Sequence, residues 1–81
     1  MRRIAILDYG IGNVRSISNA LKMVGAEPSL TNDPEKIIGS DGVILPGVGA
    51  FAKGMENLNH YNLLEPIHTF IKSGKPFLGI C

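Results

Sequence analysis

Cys81 closes an apolar run, Phe77-Leu78-Gly79-Ile80, and is the single cysteine among 81 residues. A cysteine in such surroundings most often packs as an inert small apolar side chain. At the carboxyl end of a strand that feeds a helix its chemistry changes. A helix N-terminus lowers a thiol pKa from about 8.5 and so raises the thiolate fraction available for attack. Gly79, two residues earlier, allows close backbone approach at the strand end. The geometry this implies is a strand-to-helix nucleophile elbow. Thiolate attack on a carbonyl also needs hydrogen-bond donors for the developing oxyanion, and Pro46-Gly47-Val48-Gly49 can supply them. Its two glycines free the backbone to turn N–H groups into a crevice, although a steric demand for positive φ explains the same glycines equally well.

Other residue sets point elsewhere. Gly47-Val48-Gly49-Ala50-Phe51-Ala52 fits the dinucleotide fingerprint, with Glu65 about twenty residues onward. That fingerprint belongs after the first strand, with its acidic residue at the end of the next one, whereas Glu65 falls at a helix start. Gly10-x-Gly12-x-x-Arg15 has the right location but lacks the third glycine. Nucleotide binding is therefore the minor alternative. His60 and His68 share no metal-ligand spacing with Cys81 and read as helix-surface residues, so no metal and no cofactor are expected. Asp8 can orient a loop or bind a ligand, while Arg15 and Lys22 read as a solvated helix face.

The elements that position these residues follow from periodicity. Arg3–Tyr9 is an apolar run stopped by Gly10 and Gly12, which predicts a buried strand. Val14, Ile17, Leu21 and Val24 recur on one helical face, with Asn13 as N-cap and Gly25 just past the end. Residues 26–31 form a weaker strand, placed at an edge by Pro28. Asp33-Pro34 opens a short helix, and residues 42–45 form the next strand, cut by Pro46. Residues 50–59 can hold a helix that Gly54 weakens. Leu63, Leu64, Ile67, Phe70 and Ile71 mark another helix, with Pro66 in its first turn and Gly74 and Pro76 at its end. Residues 77–80 are the fourth strand. Strands alternating with helices imply an α/β fold, an open parallel sheet with helices on both faces. In the order 2-1-3-4, the loops after strands one and three and Cys81 after strand four open onto one edge, where such sheets bind ligands.

Composition bounds the remaining classes. The chain is 44% hydrophobic and 19% charged, which describes a globular domain rather than a disordered tail. Eight Lys and Arg against seven Asp and Glu leave no basic field for nucleic acid. No apolar run reaches the ~18 residues of a membrane span, and no signal-peptide pattern follows Met1. One cysteine makes a reducing cytoplasm the default compartment. A chain this short buries only roughly 60–65% of its unfolded surface, so residues 1–81 are expected to be the N-terminal part of a single longer domain.

Asp8-Tyr9-Gly10-Ile11-Gly12-Asn13 with Arg15-Ser16, Leu45-Pro46-Gly47-Val48-Gly49-Ala50-Phe51, and Gly74-Lys75-Pro76-x-Leu78-Gly79-Ile80-Cys81 follow one another along the chain. Together they resemble the class I glutamine amidotransferases, and among them the glutaminase subunits of imidazole glycerol phosphate synthase. The resemblance implies a truncated flavodoxin-like amidotransferase fold with Cys81 as nucleophile. It makes Gly47, Val48 and Gly49 the oxyanion and substrate loop. It sets Tyr9, Gly10, Gly12 and Asn13 beside the active site, at the interface with a synthase (cyclase) subunit in a heterodimer. The implied substrate is glutamine, and the implied products are glutamate and ammonia, the latter passed to the synthase. The family's activating histidine and glutamate and its second oxyanion donor match no residue here, so the 81 residues alone are expected to be inactive. A paralogue serving another amidation pathway, such as surface-sugar synthesis, and a non-catalytic interaction domain with a buried Cys81 are the competing readings.

Overall fold

The computed structural model describes residues 2–10, 14–47 and 51–80, without the side chain of Phe51. In chain order the elements are β1 (Arg3–Leu7), α1 (Val14–Met23), β2 (Glu27–Thr31), α2 (Pro34–Ile38), β3 (Gly42–Pro46), α3 (Phe51–His60), α4 (Leu64–Lys72) and β4 (Phe77–Ile80). The four strands form one parallel sheet in the order β2-β1-β3-β4. That is the order for which the sequence reading brings the loops after β1 and β3 to one edge. The step from β1 to β2 runs opposite to the steps into β3 and β4, so right-handed crossovers put α1 on one face and α2, α3 and α4 on the other.

Register assigns each side chain to a face. Ala5 pairs with Ser29 and Val43, and Val43 pairs with Phe77, so these residues share one side of the sheet. There Ala5, Leu7, Tyr9 and Val43 pack with Ile37, Leu58, Leu63 and Phe70 in the main core. Full burial of a side chain such as Phe70 contributes about 1.5–3 kcal/mol. On the opposite face Ile6 and Ile44 are buried, whereas Leu30 and Leu78 on the flanking strands are half exposed. α1 buries none of its residues completely there, holding Val14, Ile17 and Leu21 half-buried.

Local signals explain the ends of the elements. At the end of α1 the Ala26 N–H donates to Leu21 O (2.9 Å) and the Gly25 N–H to Lys22 O (3.1 Å), with Gly25 at φ +85°. This closing motif needs a left-handed residue, which glycine adopts without steric penalty. The helix stops at Met23, so Val24, expected on the apolar stripe, is instead 79% exposed. The carboxylate of Asp33 caps α2 by accepting from the Glu35 N–H at 3.0 Å, and Pro34 follows it in the first turn. Gly54 does not break α3. It is buried, and the packing of Met55 and Leu58 into the core outweighs a propensity cost of about 1 kcal/mol. Pro66 lies in the first turn of α4, where its missing N–H has no partner to lose. Only Leu63, Ile67 and Phe70 of the expected stripe face the core, since Leu64 and Ile71 are exposed. Pro46, expected to cut β3, is its last residue and pairs with Ile80.

Candidate functional site

The carboxyl ends of β1, β3 and β4 meet at one edge of the sheet. The β1–β3 register ends at Ile6–Ile44, while β3 and β4 continue together to Pro46–Ile80. Gly47 and Cys81 are thus the next residues in sequence after two strand ends that finish level. Past Leu7 the Asp8 N–H donates to Thr31 O at 3.0 Å, closing the β1–β2 ladder. The next side chain crosses the other way. Tyr9 is buried to 2% exposure, and its hydroxyl donates to the carbonyl oxygen of Pro46. Its own carbonyl accepts from Asn57 Nδ2 of α3 at 3.0 Å. Gly10 takes φ +80°, and a Cβ there would lie 3.4 Å from both Asn57 Nδ2 and the Tyr61 hydroxyl oxygen. The first turn of the β1 loop is therefore held against β3 and α3 together.

Of the expected site residues, the structure brings Tyr9, Gly10 and Gly47 to this edge, with Gly47 half-buried. Gly12, Asn13, Val48, Gly49 and Cys81 lie outside the described residues. Gly79 shows no close approach: a Cβ built there would meet nothing within 4 Å among the described residues, because β4 is the edge strand. His60 and His68 are exposed on α3 and α4, and Arg15 and Lys22 are exposed on α1. Glu65 occupies the first turn of α4, not a strand end. Among the described residues no three His, Cys, Asp or Glu side chains gather closely enough to hold a metal ion. No helix among them is long and apolar enough to cross a membrane.

Comparison with known proteins supplies the kinship. No protein-family model matches the chain. Curated relatives do. The imidazole glycerol phosphate synthase subunit HisH 1 of Legionella pneumophila (strain Lens) is 49% identical over 81 residues, which is 100% of this chain and 38% of the relative. HisH of Bacillus cereus (strain G9842) is 56% identical over 78 residues, covering 96% of this chain and 37% of the relative. HisH of Methanosarcina barkeri is 51% identical over 81 residues, covering 100% and 39%. Over its whole length the chain is similar to HisH subunits at about 50% identity. It corresponds to the N-terminal 37–39% of these relatives.

In this HisH-like chain, sequence reasoning singled out the glycine loops on either side of this edge but not Asn57 and Tyr61. Both stand on or just after α3, a helix whose residue pattern is weak. Their partners Tyr9 and Gly10 are about fifty positions away, beyond any local pattern. The available signal was indirect: a helix that directly follows a strand in a parallel sheet has to pass back along the neighbouring strand.

Proposed function

We propose that the complete protein is the glutaminase subunit of an imidazole glycerol phosphate synthase. Homology of the whole chain to subunits of that name, at about 50% identity, carries the reading. The level ends of β3 and β4, which Gly47 and Cys81 follow in the sequence, support it.

In this reading Cys81 attacks the side-chain amide carbon of glutamine as a thiolate. An N–H of the Gly47-Val48-Gly49 loop receives the oxyanion of the tetrahedral intermediate. Collapse of that intermediate breaks the C–N bond and, with a proton delivered to nitrogen, releases ammonia and leaves a thioester on Cys81. Water then adds to the thioester, and a second collapse frees glutamate and returns the thiol. Only a few per cent of an unperturbed thiol is ionised at pH 7, so the reaction needs a paired base. His60 and His68, exposed on their helices, do not serve; in this reading the base lies in the complete protein outside residues 1–81, as the family resemblance implies. Ammonia passes to a synthase subunit, the partner in a cytoplasmic heterodimer, and the glutaminase itself uses no cofactor.

Replacement of Cys81 decides the matter. In the complete protein with its synthase partner, Cys81→Ala should abolish glutamine hydrolysis while ammonia-dependent synthesis survives. A glutamine-like electrophile should label Cys81 in the unsubstituted protein. Glutamine hydrolysis persisting in Cys81→Ala would overturn the assignment.

A further inference from the structure

We infer that Tyr9 is a positioning residue for the Pro46–Gly47 peptide group, which opens the loop assigned above to oxyanion binding. The inference rests on that assignment and adds a residue to it.

β1 and β3 pair only as far as Ile6–Ile44, so two residues later Pro46 has no β1 partner. Its carbonyl oxygen accepts from the Tyr9 hydroxyl instead. The Pro46–Gly47 peptide is planar, so fixing its oxygen also fixes the direction of the Gly47 N–H on the opposite side. Proline φ is already locked by its ring, while Gly47 has no Cβ to limit its own φ. Pro46 also pairs with Ile80, and because proline has no N–H that bridge is closed by the Gly47 N–H on Ile80 O. β4 holds the N–H side of this peptide and the Tyr9 hydroxyl holds its oxygen side.

Tyr9 is itself firmly held. Its ring lies in the core with Leu58 and Leu63, and its carbonyl is gripped by Asn57 Nδ2 at 3.0 Å. Gly10 fits closely beneath Asn57 and Tyr61. The loop between β3 and α3 is thus flanked at its start by Tyr9 and beyond its end by a helix that grips the same tyrosine. An oxyanion donor acts through its preset direction, so a restraint on the peptide that opens the loop should act on turnover more than on substrate binding.

The test is Tyr9→Phe in the complete protein, which keeps the ring and removes the hydroxyl. Amide hydrogen exchange at Gly47 should accelerate roughly tenfold, the order expected for one lost hydrogen bond, with Ala5, Val43 and Phe70 amides unchanged within about twofold. For glutamine, kcat should fall at least about tenfold with KM and the alkylation rate of Cys81 nearly constant. Asn57→Ala, at a half-buried position that spares the core, should shift both readouts in the same direction by less, and it stands in if Tyr9→Phe fails to fold. Unchanged Gly47 exchange, or faster exchange with unchanged kcat, overturns the positioning role and leaves Tyr9 as a core residue. Absence of glutaminase activity in the unsubstituted protein overturns the proposed function itself, a result distinguishable from either of these.

Discussion

The ammonium nitrogen of Lys75, in the turn before β4, lies 2.7 Å from the carbonyl oxygen of Ser40, in the turn before β3, and 2.8 Å from that of Ile38. The same nitrogen stands 5.0 Å from the centre of the Phe70 ring. These turns feed the amino ends of neighbouring strands, so Lys75 fastens the edge of the sheet opposite the candidate site. The Gly74-Lys75-Pro76 motif therefore has a structural task. Lys75→Met keeps the aliphatic stem and removes the charge, and should cost about 1–3 kcal/mol in urea denaturation of the complete protein. Glutamine turnover should stay within about twofold, a separation of stability from activity that follows from the position of Lys75. Loss of turnover at unchanged stability would show that Lys75 reaches the chemistry.

Gly10 and Gly25 share the left-handed backbone, at φ +80° and +85°, but not the same surroundings. A Cβ at Gly25 would meet nothing within 4 Å, whereas one at Gly10 would sit 3.4 Å from Asn57 and Tyr61 atoms. Gly25→Ala should then register only the backbone cost, about 1 kcal/mol. Gly10→Ala should add to that backbone cost a methyl packed at 3.4 Å against Asn57, which holds the Tyr9 carbonyl, and against Tyr61. It should also lower glutamine turnover, which Gly25→Ala should not. Equal effects of the two substitutions on stability and turnover would contradict the difference in packing.

Much of the fold is legible in the sequence because its signals are local. Alternating apolar segments dictate a parallel sheet, and Asp33-Pro34 and Gly25 mark helix ends by their own chemistry. Periodicity finds a helix but not its last residue or the width of its buried face. Val24, Leu64 and Ile71 are therefore expected inside and lie outside. At the site, glycine and proline spacing exposes the loops after β1 and β3, since unusual backbone demands unusual residues. The contacts from Tyr9 to Pro46 and from Asn57 to Tyr9 join residues 37 and 48 positions apart, and no local pattern joins either pair. Lys75 reads only as part of a motif for the same reason.

The dinucleotide fingerprint at residues 47–52 yields a further prediction. Its glycines follow β3 instead of β1, and Glu65 sits in the first turn of α4, where it does not extend from a strand end toward a ribose. Millimolar NAD or NADH should therefore leave the melting temperature of the complete protein unchanged, whereas a site occupied at a hundred times its Kd would add about 2.7 kcal/mol. A saturable upward shift would revive the nucleotide reading.

The last prediction concerns residues 1–81 as an isolated polypeptide. β4 is an edge strand of the sheet, and Leu78 and Ile80 are 56% and 37% exposed on it. An apolar edge with unpaired backbone groups is a template for another strand, so the isolated chain should self-associate at micromolar concentration. Leu78→Lys should shift it toward monomer by placing a charge on that edge, as measured by light scattering after size exclusion. The isolated chain should release no ammonia from glutamine, because its two histidines are exposed on α3 and α4 and the reaction requires a base beside Cys81. A monomer with a cooperative melt and measurable turnover would show that these residues already contain a working base, and that the exposed edge of β4 needs no cover.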